Sequence, residues 1–561
     1  MSHEPVGLLP QEQQQQKSPF KIETISFAEL SGQSRLFLDF QSDSSNIARF
    51  YPEKRTPPAE FAAKALENYK IDREALCDVL AETNRSFGAG EKTLENINLL
   101  RQKDAVAVVT GQQAGLFSGA LYTIYKALTA IRLAEDLRKQ NIKAVPVFWI
   151  AEEDHDFDEV KKTFTIDKNG KLFGLENAPA ARVENQPVGA IRLDSTINET
   201  IGELLQAQLS TQFSRELKEL LTGAYRAGET FSTGFARFIA RIFASKGLII
   251  FSPLNKKLKK LSAPVFVEIV RKSEEIGAAL LSRTKELEAE NYHAQVLVEE
   301  DFFPFFLIDE DGKRLALKKT KESNFKAKDA KKAFTLDELI EIAENSPQNL
   351  SPNALARPVV QDYLLPTACY FGGAAEIAYF AQNAEIYRIL NRPATPIRHR
   401  ASFTIIEARH ARTLDRYNLK FRDLFDGEEK IFAEIVEKFL ADGTAREFAE
   451  VEEIINTQLN RLDRHLLESE PTLSPNLATR RRKIMYHIGA LRKKFHRAEI
   501  LKDQTARRRI ETLFTSLLPH KALQERTLNA AYFLNLYGEN FIEWLYAATR
   551  AEEKNHQIIY L

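Results

Sequence analysis

At about 150 residues per domain, the 561 residues of this chain predict three to four domain-sized units. Hydrophobic residues make up 44% and charged residues 28%, the mixture of an ordinary globular protein, which excludes a largely disordered chain, a collagen-like fibre and a disulfide scaffold. Lys+Arg and Asp+Glu both number 78, for a formal net charge of zero, which argues against a dedicated nucleic-acid binder.

Residues 1–20 carry acids and a Gln run where a signal peptide needs an apolar stretch, so they read as a tail. Residues 27–102 look mostly helical, with a run after Pro57-Pro58. Ala105 to Val109 (AVAVV) is a continuous apolar run, as expected of a strand covered on both faces. The turn Thr110 to Gly115 follows, and then Leu121, Ile124, Tyr125, Leu128 and Ile131 repeat at helical spacing. Val145 to Ile150 (VPVFWI) is a second strand, with Pro146 expected near its start or on a sheet edge. Together these form a βαβ unit.

Asn169-Gly170 and Asp311-Gly312, each between apolar runs, predict two hairpins within small inserted domains at about 160–195 and 290–330. Helices are expected from about Asn198 to Ser245, then a buried strand at Gly247 to Phe251. The core is read as residues 21–443. Residues 444–515 read as a helical hairpin, with Val451, Ile455, Leu459, Leu462 and Leu466, then Ile484, Ile488, Leu491, Phe495 and Ala498, near heptad spacing around Pro471 and Pro475. Residues 516–561 read as a helical segment docking on the core. No run reaches the roughly 18 apolar residues of a membrane span. The two cysteines, Cys77 and Cys369, are far apart and suit a reducing compartment, so a cytoplasmic protein is expected. The fold class is α/β: a parallel-sheet core with small β-containing insertions and a C-terminal helical hairpin.

Ligands of open parallel sheets bind beyond the carboxyl ends of the strands. The first such end carries Gly111, Gln112, Gln113 and Gly115, a candidate anion site if the turn opens a helix. It is neither GxGxxG nor GK[ST], and a plain βα turn using glycine for tightness is the alternative. The second end carries Glu152, Glu153, Asp154, His155 and Asp156. Carboxylates round a histidine are expected to raise its pKa and to hold a cation or an ammonium; a solvated acidic turn is the alternative. A third cluster holds Arg357, Gln361, Asp362, Gly372, Gly373, Glu376 and Tyr379. Here the Gly pair opening a helix and Arg357 are candidates for carboxylate or phosphate, against two capped helices with Arg357 paired to Asp362. No metal-ligand motif is present, and Arg480–Lys483 and Arg507–Arg509 read as solvated helix faces.

Three blocks, VVTGQQAGLFSGALYTIYKALTAIRLAE, PVFWIAEEDHDFDEV and LSPNALARPVVQDYLLPTACYFGGAAEIAYFAQ, with Arg400-Ala401-Ser402-Phe403 and Leu523-Gln524-Glu525-Arg526, resemble the signature of the BshC family of bacillithiol biosynthesis. The chain departs from that pattern at Ala120, where the family more often has proline, and at Ala374-Ala375, where Pro-Gly is common. The resemblance implies a Rossmann-like core, a coiled-coil hairpin that forms a homodimer, and a ligase joining L-cysteine to glucosaminyl malate, with neither nucleic acid nor membrane as partner. For that reaction His155 is the candidate general base, oriented by Asp154 and Asp156, with Arg357 and Arg400 among the anion-binding residues. The carboxyl must be activated; the chain carries no ATP fingerprint, and ATP or ADP with Mg²⁺ is the candidate co-reactant. A nucleotide-binding regulator or a nucleotidyltransferase on the same core is the alternative.

Overall fold

The computed structural model describes residues 20–67, 69–320, 322, 324–327 and 332–561. The expected tail at residues 1–20 lies, but for Phe20, outside them. Five strands form the central sheet: β1 (Val106–Gln112), β2 (Ala144–Ile150), β3 (Ile249–Phe251), β4 (Thr367–Gly372) and β5 (Ile397–His399). Their order is β5–β4–β1–β2–β3, and every pair is parallel. Val106 to Val109 are fully buried, because the apolar run is covered on both faces. One cover is helix α1 (Tyr122–Lys139), whose Ile124, Tyr125, Leu128 and Ile131 are buried as the spacing predicts. Trp149 of β2 stacks on Phe251 of β3 at 4.4 Å between ring centroids, worth about 1 kcal/mol beyond its buried area. Pro146 sits opposite Val108 near the start of β2, where pairing with β3 has not yet begun; that pairing opens at Val147. β2 is not an edge strand.

Sequence reasoning took residues 357–379 as two helices and missed the strand between them. Arg357–Leu364 and α2 (Ala374–Ile389) are helical, but β4 runs between them through the middle of the sheet, every residue buried. A six-residue apolar run with no alternation cannot be told from buried helix by periodicity. The expected helical segment 516–561 likewise ends in a strand. His556–Tyr560 pairs antiparallel with Lys21–Ile25 and parallel with Phe403–Ile406, so the two ends of the described chain are zipped together.

Both predicted hairpins form. Lys162–Ile166 and Leu172–Glu176 pair around Gly170, whose φ is +79°. Phe305–Ile308 and Arg314–Lys319 pair around Gly312 and belong to a five-stranded antiparallel sheet with 325–327, 333–334 and 350–352. The helical hairpin consists of α3 (Asp442–Ser469) and α4 (Ser474–Lys502), joined by a turn at Pro471–Leu473. Its arms run antiparallel: Ser474 bonds Asp463, Arg481 bonds Asn456, and Arg492 bonds Glu452. Ile454, Leu462, Leu467 and Leu491 stay exposed, between 46% and 60%. No helix among the described residues is long and apolar enough to cross a membrane. Cys77 and Cys369 are both buried free thiols.

Candidate functional site

The carboxyl ends of β1, β2, β4 and β5 open onto one cavity of about 530 Å³. Gly111, Gln112 and Gln113 leave β1 there; Glu153, Asp154 and His155 leave β2; Gly373 and Glu376 follow β4; Arg400 follows β5. Arg357 and Tyr379 close the wall from neighbouring helices. The first two strand-end loops do meet: the Gln113 side-chain amide donates to Asp154 at 2.8 Å.

Five predicted residues lie outside this cavity. Asp156 instead caps the short helix Phe157–Val160, accepting from the Glu159 amide. Gly115 packs on Gly119, where a Cβ would stand 2.7 Å from the Gly119 Cα. Gln361 is fully buried and bonds the Arg357 guanidinium from behind. Asp362 does not pair with Arg357; it accepts from Tyr387 and Thr395 in a separate small pocket. Gly372 is needed because a Cβ there would stand 2.8 Å from the Glu376 Cβ.

The reading of the Gly111 turn as a helix-opening anion site is also corrected. β1 continues through Gln112, and α1 begins only at Tyr122. Gly111 is required by strand packing, since a Cβ would come 2.7 Å from the Trp149 carbonyl oxygen. The helix terminus that does face the cavity is that of α2, with Gly373, Ala374 and Ala375 on the wall. Glu376 caps it, accepting from the Gly373 amide at 2.7 Å.

Sequence reasoning missed Tyr122, Lys126, Glu159, Phe306, Arg314 and Arg526, which all line the cavity. Lys126 carried a faint signal, a cation inside an apolar helical stripe. It is 2% exposed, and its Nζ donates to the Gly111 carbonyl, to Gln112 and to Glu376. Burial draws the Lys126 pKa below the ordinary lysine range. Burial pushes Glu376 upward, but Lys126 and the Gly373 amide outweigh it and hold the carboxyl below its usual value. Three such buried pairs brace the floor: Lys126–Glu376, Lys259–Glu153 and Arg400–Glu525.

Two cations differ from these. Arg357 is held by neutral groups, Gln361 at 2.8 Å and the Tyr379 hydroxyl at 3.1 Å. Burial opposes its charge, yet Tyr379, Tyr370 and Glu376 together raise its pKa. Neither Arg357 nor Arg526 has a carboxylate within ion-pair distance among the described residues.

The opposite wall is acidic. The Glu159 carboxyl is pushed above its ordinary value by burial and by Asp156. The expected rise at His155 is overturned: its pKa is lowered, by burial first and then by the Arg314 charge, which together outweigh Asp154 and Asp156. Arg314 could not be found from local sequence, because only the folding of the inserted sheet brings it 159 positions back to His155.

A larger, more open cleft of about 1940 Å³ lies between residues 168–172, 409–429 and 504–521, with Arg507, Arg508 and Arg509 on its wall. It touches none of the central strand ends. The chemistry is assigned to the smaller cavity because there four strand ends bring opposite charges together.

Residues 20–401 match the family description "Bacillithiol biosynthesis BshC, N-terminal Rossmann-like domain", and residues 403–561 match "Bacillithiol biosynthesis BshC, C-terminal coiled-coil domain". The chain belongs to the BshC family of bacillithiol biosynthesis. Relatives named "Putative cysteine ligase BshC" run nearly end to end with it. That of Koribacter versatilis is 34% identical over 522 residues, covering 93% of this chain and 96% of the relative. That of Solibacter usitatus is 34% identical over 538 residues (95% and 98%), and that of Salinibacter ruber 32% over 527 (93% and 96%). The cavity of this BshC family member draws on both matched regions: Arg526 comes from the second, the other wall residues from the first.

Proposed function

We propose that the chain is a ligase that forms an amide between the carboxyl of L-cysteine and the amine of glucosaminyl malate. The observation that carries this is the two-sided charge of the strand-end cavity. Arg357, Arg526 and the α2 amides offer sites for carboxylates, while Asp154 and Glu159 face them with negative charge. A substrate with a dicarboxylate at one end and an ammonium at the other matches that polarity. The relatives' printed name, cysteine ligase, points to the same reaction class.

Amide formation from a free carboxylate releases water and needs an activated acyl group, and ATP, giving ADP or AMP, is the proposed co-reactant. Among the described residues no group of three or more His, Cys, Asp or Glu is placed to hold a metal ion. Mg²⁺ would enter on the nucleotide's phosphates. The exposed apolar residues of α3 and α4 support a homodimer through the hairpin, since a two-helix arm cannot bury both its faces. The buried free thiols fit a reducing cytoplasm.

The test incubates the protein with L-cysteine, glucosaminyl malate and ATP and follows thiol products by mass. Bacillithiol formed with nucleotide consumption supports the ligase. Tight nucleotide binding with no product, under conditions where the protein is folded, would overturn it in favour of a nucleotide-responsive regulator.

A further inference from the structure

Arg314 reaches the cavity from the inserted sheet and is anchored on every side. Its Nε donates to the Ser351 hydroxyl at 3.0 Å and its Nη2 to the Pro352 carbonyl at 3.2 Å. The guanidinium lies 3.6 Å from the centroid of the Phe306 ring. Its remaining arm, Nη1, stands 3.0 Å from His155 Nδ1 and within ion-pair distance of Asp154 Oδ1, at 3.8 Å. A guanidinium has donors and no acceptor, so Nδ1 in this contact must accept. A neutral imidazole that accepts at Nδ1 carries its proton on Nε2.

Asp154 is the competing partner. Its Oδ1 lies 3.7 Å from Nδ1, beyond hydrogen-bond distance, and already accepts from the His155 amide at 2.7 Å. Asp156 is the other nearby charge, and the Phe306 ring lies 5.8 Å away. Nε2 has no partner among the described residues, and the imidazole is part of the cavity wall.

We infer that Arg314 is a positioning residue that fixes His155 as an Nε2–H donor, so that His155 binds an oxygen of the substrate and does not take the proton of the attacking amine. To act as a base at Nε2, the ring would have to move its proton to Nδ1, setting two donors face to face with Arg314. The amine's proton then falls to the carboxylates beside it, Asp154 and Glu159. The lowered pKa of His155 agrees with this arrangement. The donor assignment rests on the ligase reading for the identity of the oxygen; the tautomer does not.

Two measurements separate these. Long-range ¹H–¹⁵N correlation on full-length protein labelled at histidine, without substrate, reads the tautomer, with His155→Gln assigning the signal. The expected result is an Nε2–H imidazole at neutral pH that stays neutral below the ordinary histidine range. In Arg314→Met it should titrate higher than in the wild type, with both tautomers present. An Nδ1–H tautomer or an imidazolium at neutral pH in the wild type overturns the inference. The second measurement is turnover. Glutamine keeps an N–H donor but no basic nitrogen, so His155→Gln should stay within about tenfold of wild type while His155→Ala falls a further hundredfold or so. Equal loss in the two variants overturns the donor role. Failure of the wild type to make product removes the ligase reading and leaves the tautomer to the spectrum alone.

Discussion

The cavity holds two kinds of cation, and the contrast between them separates scaffold from site. Lys126 and Arg400 are neutralised by carboxylates beneath the surface, with carbonyls taking further donors, although the Arg400 Nε keeps no partner among the described residues. Arg357 is half-buried and held by an amide, a phenol and the face of the Tyr370 ring, and the exposed Arg526 meets no carboxylate among the described residues. A buried charge neutralised within the protein stabilises a geometry and has little left to offer a ligand. A charge kept without a counter-ion costs stability unless an anion completes it.

The sharpest way to break this comparison is to remove a satisfied cation. Lys126→Met leaves the Glu376 carboxylate without its counter-ion and takes the ammonium from the Gly111 carbonyl, and should lower stability by about 3–5 kcal/mol, read by chemical denaturation. A loss near zero would mean that the pair does not brace the strand ends.

Acid should attack the same scaffold. His556 bonds Ser402 and Thr404 behind Arg400, and burial, outweighing the Glu525 carboxylate, draws its pKa down to about 4. In the unfolded chain a histidine titrates near 6.5. The unfolded state therefore takes up a proton first, and stability present above about pH 6.5 is lost as pH falls towards 4. At about 1.4 kcal/mol per pH unit this one residue accounts for about 3 kcal/mol. Denaturation midpoints measured across that window, in the wild type and in His556→Gln, test it; equal slopes would refute the assignment.

Arg357→Met probes the other class. Stability should stay within about 1 kcal/mol, because an uncompensated charge leaves with the bonds it made. Affinity for the proposed substrate, glucosaminyl malate, should fall by about tenfold to hundredfold, the worth of one charged hydrogen bond. Calorimetric titration measures it, and unchanged binding would move Arg357 into the scaffold class. The smallest effect on the folded monomer is expected far from the cavity. Leu462→Glu or Leu491→Glu on the hairpin should change monomer stability by about 0.5 kcal/mol or less while abolishing the proposed dimer, seen by light scattering.

The same division explains what could be read from the chain in advance. AVAVV, VPVFWI and GLIIF announced buried parallel strands because uninterrupted apolar runs between turns have few other uses. The loops after the first two strands were placed at one cavity because parallel strands share a carboxyl edge. β4 escaped because its residues, TACYFG, begin with threonine, end with glycine and lack the β-branched aliphatics that mark the other three runs. The strands at Lys21–Ile25 and His556–Tyr560 escaped because each finds its partner at the far end of the chain. Arg314 escaped for the same reason, and with it its contact to His155. Counting acids along the sequence suggested a raised pKa, whereas burial first and then the Arg314 charge lower it.

The bracing of Arg400 by Glu525, with Arg526 beside it on the wall, has a consequence for biosynthesis in time. Translation runs from the amino end, so Glu525 and Arg526 emerge 125 and more residues after Arg400 and the rest of the cavity wall. A nascent or prematurely terminated product therefore possesses a Rossmann-like body yet lacks a finished pocket. The pocket is closed only when part of the second matched region has been made.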